Sequence, residues 1–463
     1  MNSIPSAKNK PLRILIVPEI PEKGIIENGL DRYLDALATG MAGRVQYVGI
    51  EDDQFSRGPD KKWQADSAVT ISRPRHGVIR LLSPNIRLLL GYLSDAWRLS
   101  RDLRPYRKCV DLIHVNRVGC EVHTIAAKMA GFHRIVSTIH NLPGETEKNN
   151  WVCRLVERLS FACGDVHIAV SDATYEAWHE RVGLKKRETI DHRPKTRYRR
   201  DKAANAPRSK VYGLWSMVFS RQSRGKCVVI YNGMDPLDLT GFDRRSYRQQ
   251  FCDDSDHTFI IGICARLHRM KGHVVLLEAF ASLLKERLLS CRGVELLSKS
   301  PVVSLISTTQ QPNNPTTIPL LLIAGAGPER LNIEAKIAEL GIGDHVRLLG
   351  HRNDAERFAA SLDLNVLPSV TLETFGYSVV EAMFHGVPSV VSDVGGMKEI
   401  VGLSSGGMIV PVGDVATLLA ALAEYMRDPG RGRREGAFGR NYAILELTAR
   451  QMADRTLRVY QSL

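Results

Sequence analysis

Twice along this chain, short runs of β-branched apolar residues alternate with helical stretches. Residues 14–17, 45–50, 112–115, 135–139 and 166–170 form the first series; 259–265, 320–324, 346–349, 364–367 and 389–392 form the second. Short, continuously apolar runs suit strands buried on both faces of a parallel sheet. Helical stretches at 274–289 and 329–340 fit the crossovers such a sheet needs. The pattern predicts an α/β protein of two Rossmann-like, doubly wound domains. The boundary falls at the Tyr231-Asn-Gly-Met-Asp235 turn, after a last first-domain strand at 227–231. We expect an N-terminal domain over 1–230 and a C-terminal domain over 231–445, with residues 446–463 a helix packing back on the first. A length of 463 residues and a hydrophobic fraction of 44% leave room for both cores.

Two segments interrupt the rhythm. Residues 185–226 carry 14 Lys and Arg against Glu188, Asp191 and Asp201, and so hold most of the net charge of +13. Residues 298–319 are rich in Ser, Thr, Pro, Asn and Gln. Both read as loop-like or disordered insertions. The basic one favours phosphate-rich surfaces, with anionic lipid, nucleic acid or no specific partner all open. No aromatic platform or recognised nucleic-acid module accompanies its charges, so no nucleic acid is expected. The apolar run after Lys8, Lys10 and Arg13 is too short for a signal peptide, and none approaches the roughly 20 residues needed to span a bilayer. The eight cysteines show no Cys-x-x-Cys spacing, which argues against zinc and fits a reducing cytoplasm.

Three strings carry chemistry. In Gly262-Ile-Cys-Ala-Arg266-Leu-His-Arg-Met-Lys271-Gly-His273, a strand ends and a helix begins. Arg266 offers a planar fork to a diphosphate and Lys271 a mobile point charge. In Leu321-Leu-Ile-Ala-Gly325-Ala-Gly327-Pro328, a strand runs into a Gly-rich turn, weak evidence by itself. In Glu373-Thr-Phe-Gly-Tyr-Ser-Val-Val-Glu381-Ala-Met-Phe-His-Gly-Val-Pro388, two glutamates bracket a Phe375-Gly376 turn. Gly376 lets backbone bend near a ligand, and the helix after it presents N–H groups to an anion. Carboxylates on either side can accept from sugar hydroxyls.

Taken together, these strings resemble the retaining glycosyltransferases of family 4, which have the GT-B architecture of two Rossmann-like domains facing across a cleft. The resemblance runs from about Leu12 to the C-terminus without the two insertions, and is most specific over Arg266 to Glu399. It implies a nucleoside diphosphate sugar donor, with its diphosphate neutralised by Arg266 and Lys271 rather than by a metal, and no cofactor. It implies that Glu381 accepts from the ribose, that Glu373 touches the donor sugar, and that Phe375 and Gly376 offer backbone. In the first domain, Glu27-Asn28-Gly29-Leu30 stands where the family often has two glycines, and here Gly29 alone would meet the phosphates. His140, ending a strand, matches a family histidine near the sugar. Asp111 to His114 and Ser171 read as structural, and Asp254-Ser-Asp256 as solvated charge. We expect hexosyl transfer, with catalytic roles for His140, Arg266, Lys271 and Glu373. The acceptor stays open: a glycan, a small molecule or a lipid-linked acceptor. Residues 84–98 read as an amphipathic helix, packed on the sheet or facing a membrane. With the basic segment, it suggests a cytoplasmic enzyme of polysaccharide biosynthesis, peripheral on an anionic inner leaflet. A nucleotide-sugar epimerase and a non-catalytic nucleic-acid binder are the alternatives.

Overall fold

A computed structural model describes residues 11–17, 29–52, 67–71, 84–117, 122–141, 143, 150–182, 185–186, 226–253, 257–298 and 318–463. Two parallel sheets dominate it. The first has eight strands in the order β3-β2-β1-β4-β5-β6-β8-β7. These are β1 Leu12–Val17, β2 Val45–Asp52, β3 Ser67–Ile71, β4 Leu112–Arg117, β5 Ile135–Ile139, β6 Val166–Ala169, β7 Lys185–Lys186 and β8 Lys226–Val229. The second has six, in the order β11-β10-β9-β12-β13-β14. They are β9 Phe259–Cys264, β10 Pro319–Ala324, β11 Val346–Gly350, β12 Leu364–Leu367, β13 Ser389–Ser392 and β14 Gly407–Val410.

Central strands are the ones legible as apolar runs, because helices cover both their faces. Every residue of β5, β10, β12 and β13 is buried. Edge strand β14 has one buried residue of four, so its apolar signal is weaker, and the expected strands did not include it. Nor did they include β3 and β7. The two-residue β7 corrects the expected insertion: Lys185 and Lys186 pair with Lys226 and Cys227, so both ends of the basic segment are in the sheet. Residues 187–225 and 299–317, the bulk of both expected insertions, lie outside the described residues.

The helix Gly29–Gly40, α1, follows β1. The chain's last helix, Ala449–Gln461, returns to it: Met452, Ala453, Val459 and Tyr460 are buried with Leu34 and Leu37 of α1, Met41 just after it and Ile14 of β1. A second tie joins the sheets' helical layers. Glu399, on the helix Gly395–Ser404, accepts from the N–H groups of Asp172 and Ala173 at 2.9 and 2.6 Å, and from the Tyr231 hydroxyl at 2.7 Å. A carboxylate from one domain thus caps the helix Asp172–Val182 of the other, where free N–H groups and the positive dipole end favour it. Burial raises the Glu399 carboxyl above its ordinary value despite these donors.

The amphipathic stretch is helix α2, Pro84–Leu103, with two apolar faces. Leu88, Leu89, Tyr92 and Ala96 pack inward with Val122, Val152 and Val156. Ile86, Leu90, Leu93 and Trp97 form an outward stripe, the last two 55% exposed. The sequence pattern puts Leu88, Leu89, Tyr92, Leu93, Ala96 and Trp97 on one face, which merges the two sets.

Candidate active site

In the second sheet, β9 and β12 are neighbours, while the chain leaves them toward opposite edges. Such a switch point opens a crevice beyond the carboxyl ends of the strands. The loop after β9 carries Arg266 and the short turn Arg269–Lys271; the loop after β12 carries Ser369 and Glu373. The two loops are joined. Met270 accepts from the Val370 N–H at 2.9 Å. Gly272 has φ +69, and a Cβ there would sit 1.9 Å from the Pro368 carbonyl oxygen, so only glycine permits this approach. Lys271 Nζ thereby reaches Glu373 Oε2 at 2.5 Å, with Ser369 Oγ at 3.3 Å from the same oxygen. Arg266 is exposed, and its side chain has no hydrogen-bond or ion-pair partner among the described residues.

The helix Tyr377–Phe384 starts at Gly376, whose φ of +90 turns the chain into it. Phe375 buries its ring in the core beside Tyr377, at 5.0 Å between ring centres, so what it can offer a ligand is backbone. Glu381 lies in the helix's second turn, and its side chain is 3% exposed. Its carboxylate accepts from Arg32, which comes from α1 in the other domain and lies 5.5 Å above the Tyr377 ring. Burial works against the Arg32 charge, but Glu381 more than offsets it and holds the guanidinium above its ordinary value.

Beyond Arg32, the N-terminal side is built of neutral groups. Gly29 opens α1; Glu27 and Asn28 lie outside the described residues. His140, just past β5, is buried, with Nε2 at 3.3 Å from Asn116 Oδ1 and its ring edge-on to Tyr33 at 4.6 Å. Burial lowers its pKa to about 3, so the imidazole is neutral at ordinary pH. His114, buried as well, bridges Tyr460 at 2.6 Å and Thr138 at 2.7 Å. Burial, and secondarily His140, lower it to about 3. Thr138 also bonds the Tyr33 hydroxyl at 3.1 Å.

The motif residues therefore gather at one crevice: a carboxylate bonded to a lysine, a buried carboxylate bonded to an arginine, and an unengaged guanidinium. This set can meet a diphosphate with cations and hydroxyls with carboxylates. The Gly325–Gly327 turn is tied to the Arg266 loop, since Leu267 donates to Ala326 and accepts from the Glu329 N–H. That tie makes the turn a packing element. Asp254 and Asp256 lie outside the described residues, among which no cluster of His, Cys, Asp or Glu is disposed to hold a metal. Arg32, Tyr33 and Asn116 escaped the sequence reading. The partner of Arg32 stands 349 positions away, and no local pattern announces it.

Comparison with known proteins identifies the family. The family model for glycosyl transferases group 1 matches residues 302–442, and that for Glycosyltransferase Family 4 matches residues 27–190. The chain is 33% identical over 144 residues to a phosphatidyl-myo-inositol mannosyltransferase of Mycobacterium leprae, covering 31% of this chain and 37% of the relative. It is 33% identical over 205 residues to an MMP alpha-(1->4)-mannosyltransferase of Mycolicibacterium hassiacum, covering 44% and 42%. The matches thus span less than half of these relatives' own lengths. In structure, the chain resembles Anabaena HepE in complex with UDP and glucose, with a TM-score of 0.62 at 17% identity over 98% of this chain and 100% of the other. It also resembles sucrose-phosphate synthase from Thermosynechococcus elongatus, with a TM-score of 0.64 at 18% identity over 98% and 99%. Two facing Rossmann-like sheets, the paired glutamates and both family models lead to one assignment: the chain belongs to glycosyltransferase family 4, the group 1 glycosyltransferases, and has the GT-B fold.

Proposed function

We propose that this protein transfers a hexose from a nucleoside diphosphate sugar to an acceptor, with retention at the anomeric carbon. The observation that carries the reading is the Lys271–Glu373 pair at the switch point, with Arg266 unengaged beside it in the chain. The arriving diphosphate draws Lys271 and Arg266, which stabilise the charge of the departing group. Glu373, released from Lys271, accepts from hydroxyls of the donor sugar; Glu381 accepts from the ribose. His140, neutral and buried, offers the sugar a hydrogen bond without competing charge. The acceptor attacks from the face the phosphate leaves, and the leaving phosphate oxygen takes its proton. Domain closure excludes water and limits donor hydrolysis. The likeness to HepE, which was solved in complex with UDP and glucose, favours a uridine donor. A thermal-shift screen of UDP-, GDP- and ADP-sugars tests this, because bound donor raises the unfolding temperature by mass action. One donor should stabilise the protein and be turned over; stabilisation by none would sink the reading.

Helix α2 supports a membrane-proximal acceptor. Its outward stripe of Ile86, Leu90, Leu93 and Trp97 lies near exposed Trp151, since Asn85 and Asn150 join the starts of their helices at 3.4 Å. Exposed Arg87, Arg101, Arg104, Arg107 and Lys108 accompany the stripe. Each cation near an anionic surface contributes about 1 kcal/mol, screened by salt. Among the described residues no helix is long and apolar enough to cross a membrane. Residues 187–225 would add charge to the same docking. In co-sedimentation with anionic vesicles at low salt, the intact chain should pellet. L93S/W97S should lose most binding if α2 docks, and deletion of 187–225 should lose it if the basic segment does.

A further inference from the structure

We propose that Arg32 is a positioning residue for nucleotide binding, through which the N-terminal domain holds the ribose glutamate of the C-terminal domain. The proposal rests on the reading that Glu381 receives the ribose. Three observations carry it. Glu381 is a buried carboxylate on the helix Tyr377–Phe384, and Arg32 is the cation bonded to it. A buried carboxylate stripped of its counter-charge is strongly disfavoured, so Glu381 depends on a residue from across the cleft. Next, Arg32 is itself held, with its guanidinium over the Tyr377 ring. Its bond joins Nη1 to Oε1 and leaves Oε2 for a further donor such as a ribose hydroxyl. Last, the neighbouring residue anchors α1 within its own domain. Tyr33 bonds Thr138 and stands edge-on to His140, while the helix Ala449–Gln461 packs along α1.

Adjacent residues of one helix therefore reach the ribose glutamate and the sugar-side histidine. The nucleotide site is complete only when α1 is seated against the helix Tyr377–Phe384. Nucleotide affinity and domain closure become one event, with Arg32 as the link. No contact of Arg32 with the donor itself is required.

The test is calorimetry with whichever of UDP, GDP or ADP stabilises the wild-type protein most, applied to wild type, R32M, R32K, E381Q and R32M/E381Q. Unfolding temperatures check that each variant folds. E381Q should weaken binding at least tenfold, and R32M by a similar factor. R32K, keeping the charge without the fork, should recover most of the loss, which a merely structural contact would not predict. The double variant should bind no more weakly than E381Q alone, because the arginine acts through the glutamate. Wild-type affinity in R32M alongside a weakened E381Q would overturn the proposal while leaving the ribose reading intact. Losses that add in the double variant would overturn it too, by giving Arg32 an independent role. Unchanged affinity in E381Q, or no binding of any of the three nucleotides, would remove the reading beneath it.

Discussion

At the carboxyl end of the C-terminal sheet the site groups are charged and paired, Lys271 with Glu373 and Glu381 with Arg32. At that of the N-terminal sheet, Arg32 apart, they are neutral and buried: His140 against Asn116 and Tyr33, His114 between Thr138 and Tyr460. The contrast suits two tasks. A diphosphate needs cations that can leave one carboxylate for a richer anion. A sugar needs shape and hydrogen bonds, which buried neutral groups supply without adding charge beyond Glu373. Under the proposed function, one half of the site would exchange charge and the other would stay neutral.

The largest expected effect falls on the charged half. R266A and K271A should each lower transfer by about 10²–10³-fold at saturating donor, the scale for losing a group aimed at developing negative charge. R266A is the cleaner variant, since the side chain has no partner to strand among the described residues. Near wild-type turnover in both would break the assignment of that half.

A smaller effect separates its two carboxylates. E381Q should weaken free nucleoside diphosphate about tenfold, or roughly 1.4 kcal/mol. E373Q should leave that affinity intact and lower transfer, because the proposed function assigns Glu373 to the donor sugar. Equal losses in calorimetry would merge the two roles.

A pH-dependent effect tests the neutral half. His140 and His114 have folded pKa values of about 3, below the ordinary 6.5. Between those values the unfolded chain binds protons that the folded one refuses. Their burial therefore costs nothing above pH 6.5, and stability falls as pH drops from 6.5 toward 3. Removing one such histidine should flatten the slope by up to about 1.4 kcal/mol per pH unit. Denaturant unfolding of wild type and H140N at pH 7, 6 and 5 measures this. Identical slopes would show that the ring is not held neutral and would dissolve the contrast.

Legibility followed the same divide. The charged half reads from local strings, because Arg266, Lys271, Glu373 and Glu381 hang on loops and a helix defined by nearby glycines. Central strands read equally well, since burial on both faces leaves an apolar run. Edge strands β3, β7 and β14 did not, and α2 hid a second apolar face behind a single helical period. The neutral half was thinner still: His140 was visible as a strand-end histidine, while Asn116 and Tyr33 look like ordinary strand and helix residues.

By itself the sequence determined the doubly wound class, the central strands and the candidate donor-binding residues, because backbone bends, burial and charge at short spacing are local properties. The tertiary structure alone decided which charges meet. Arg32 finds Glu381, Glu399 caps a helix of the other domain, and Tyr460 comes back to His114. Each of these contacts joins residues hundreds of positions apart. Each forms because a buried polar group must be satisfied by whatever the fold brings near it.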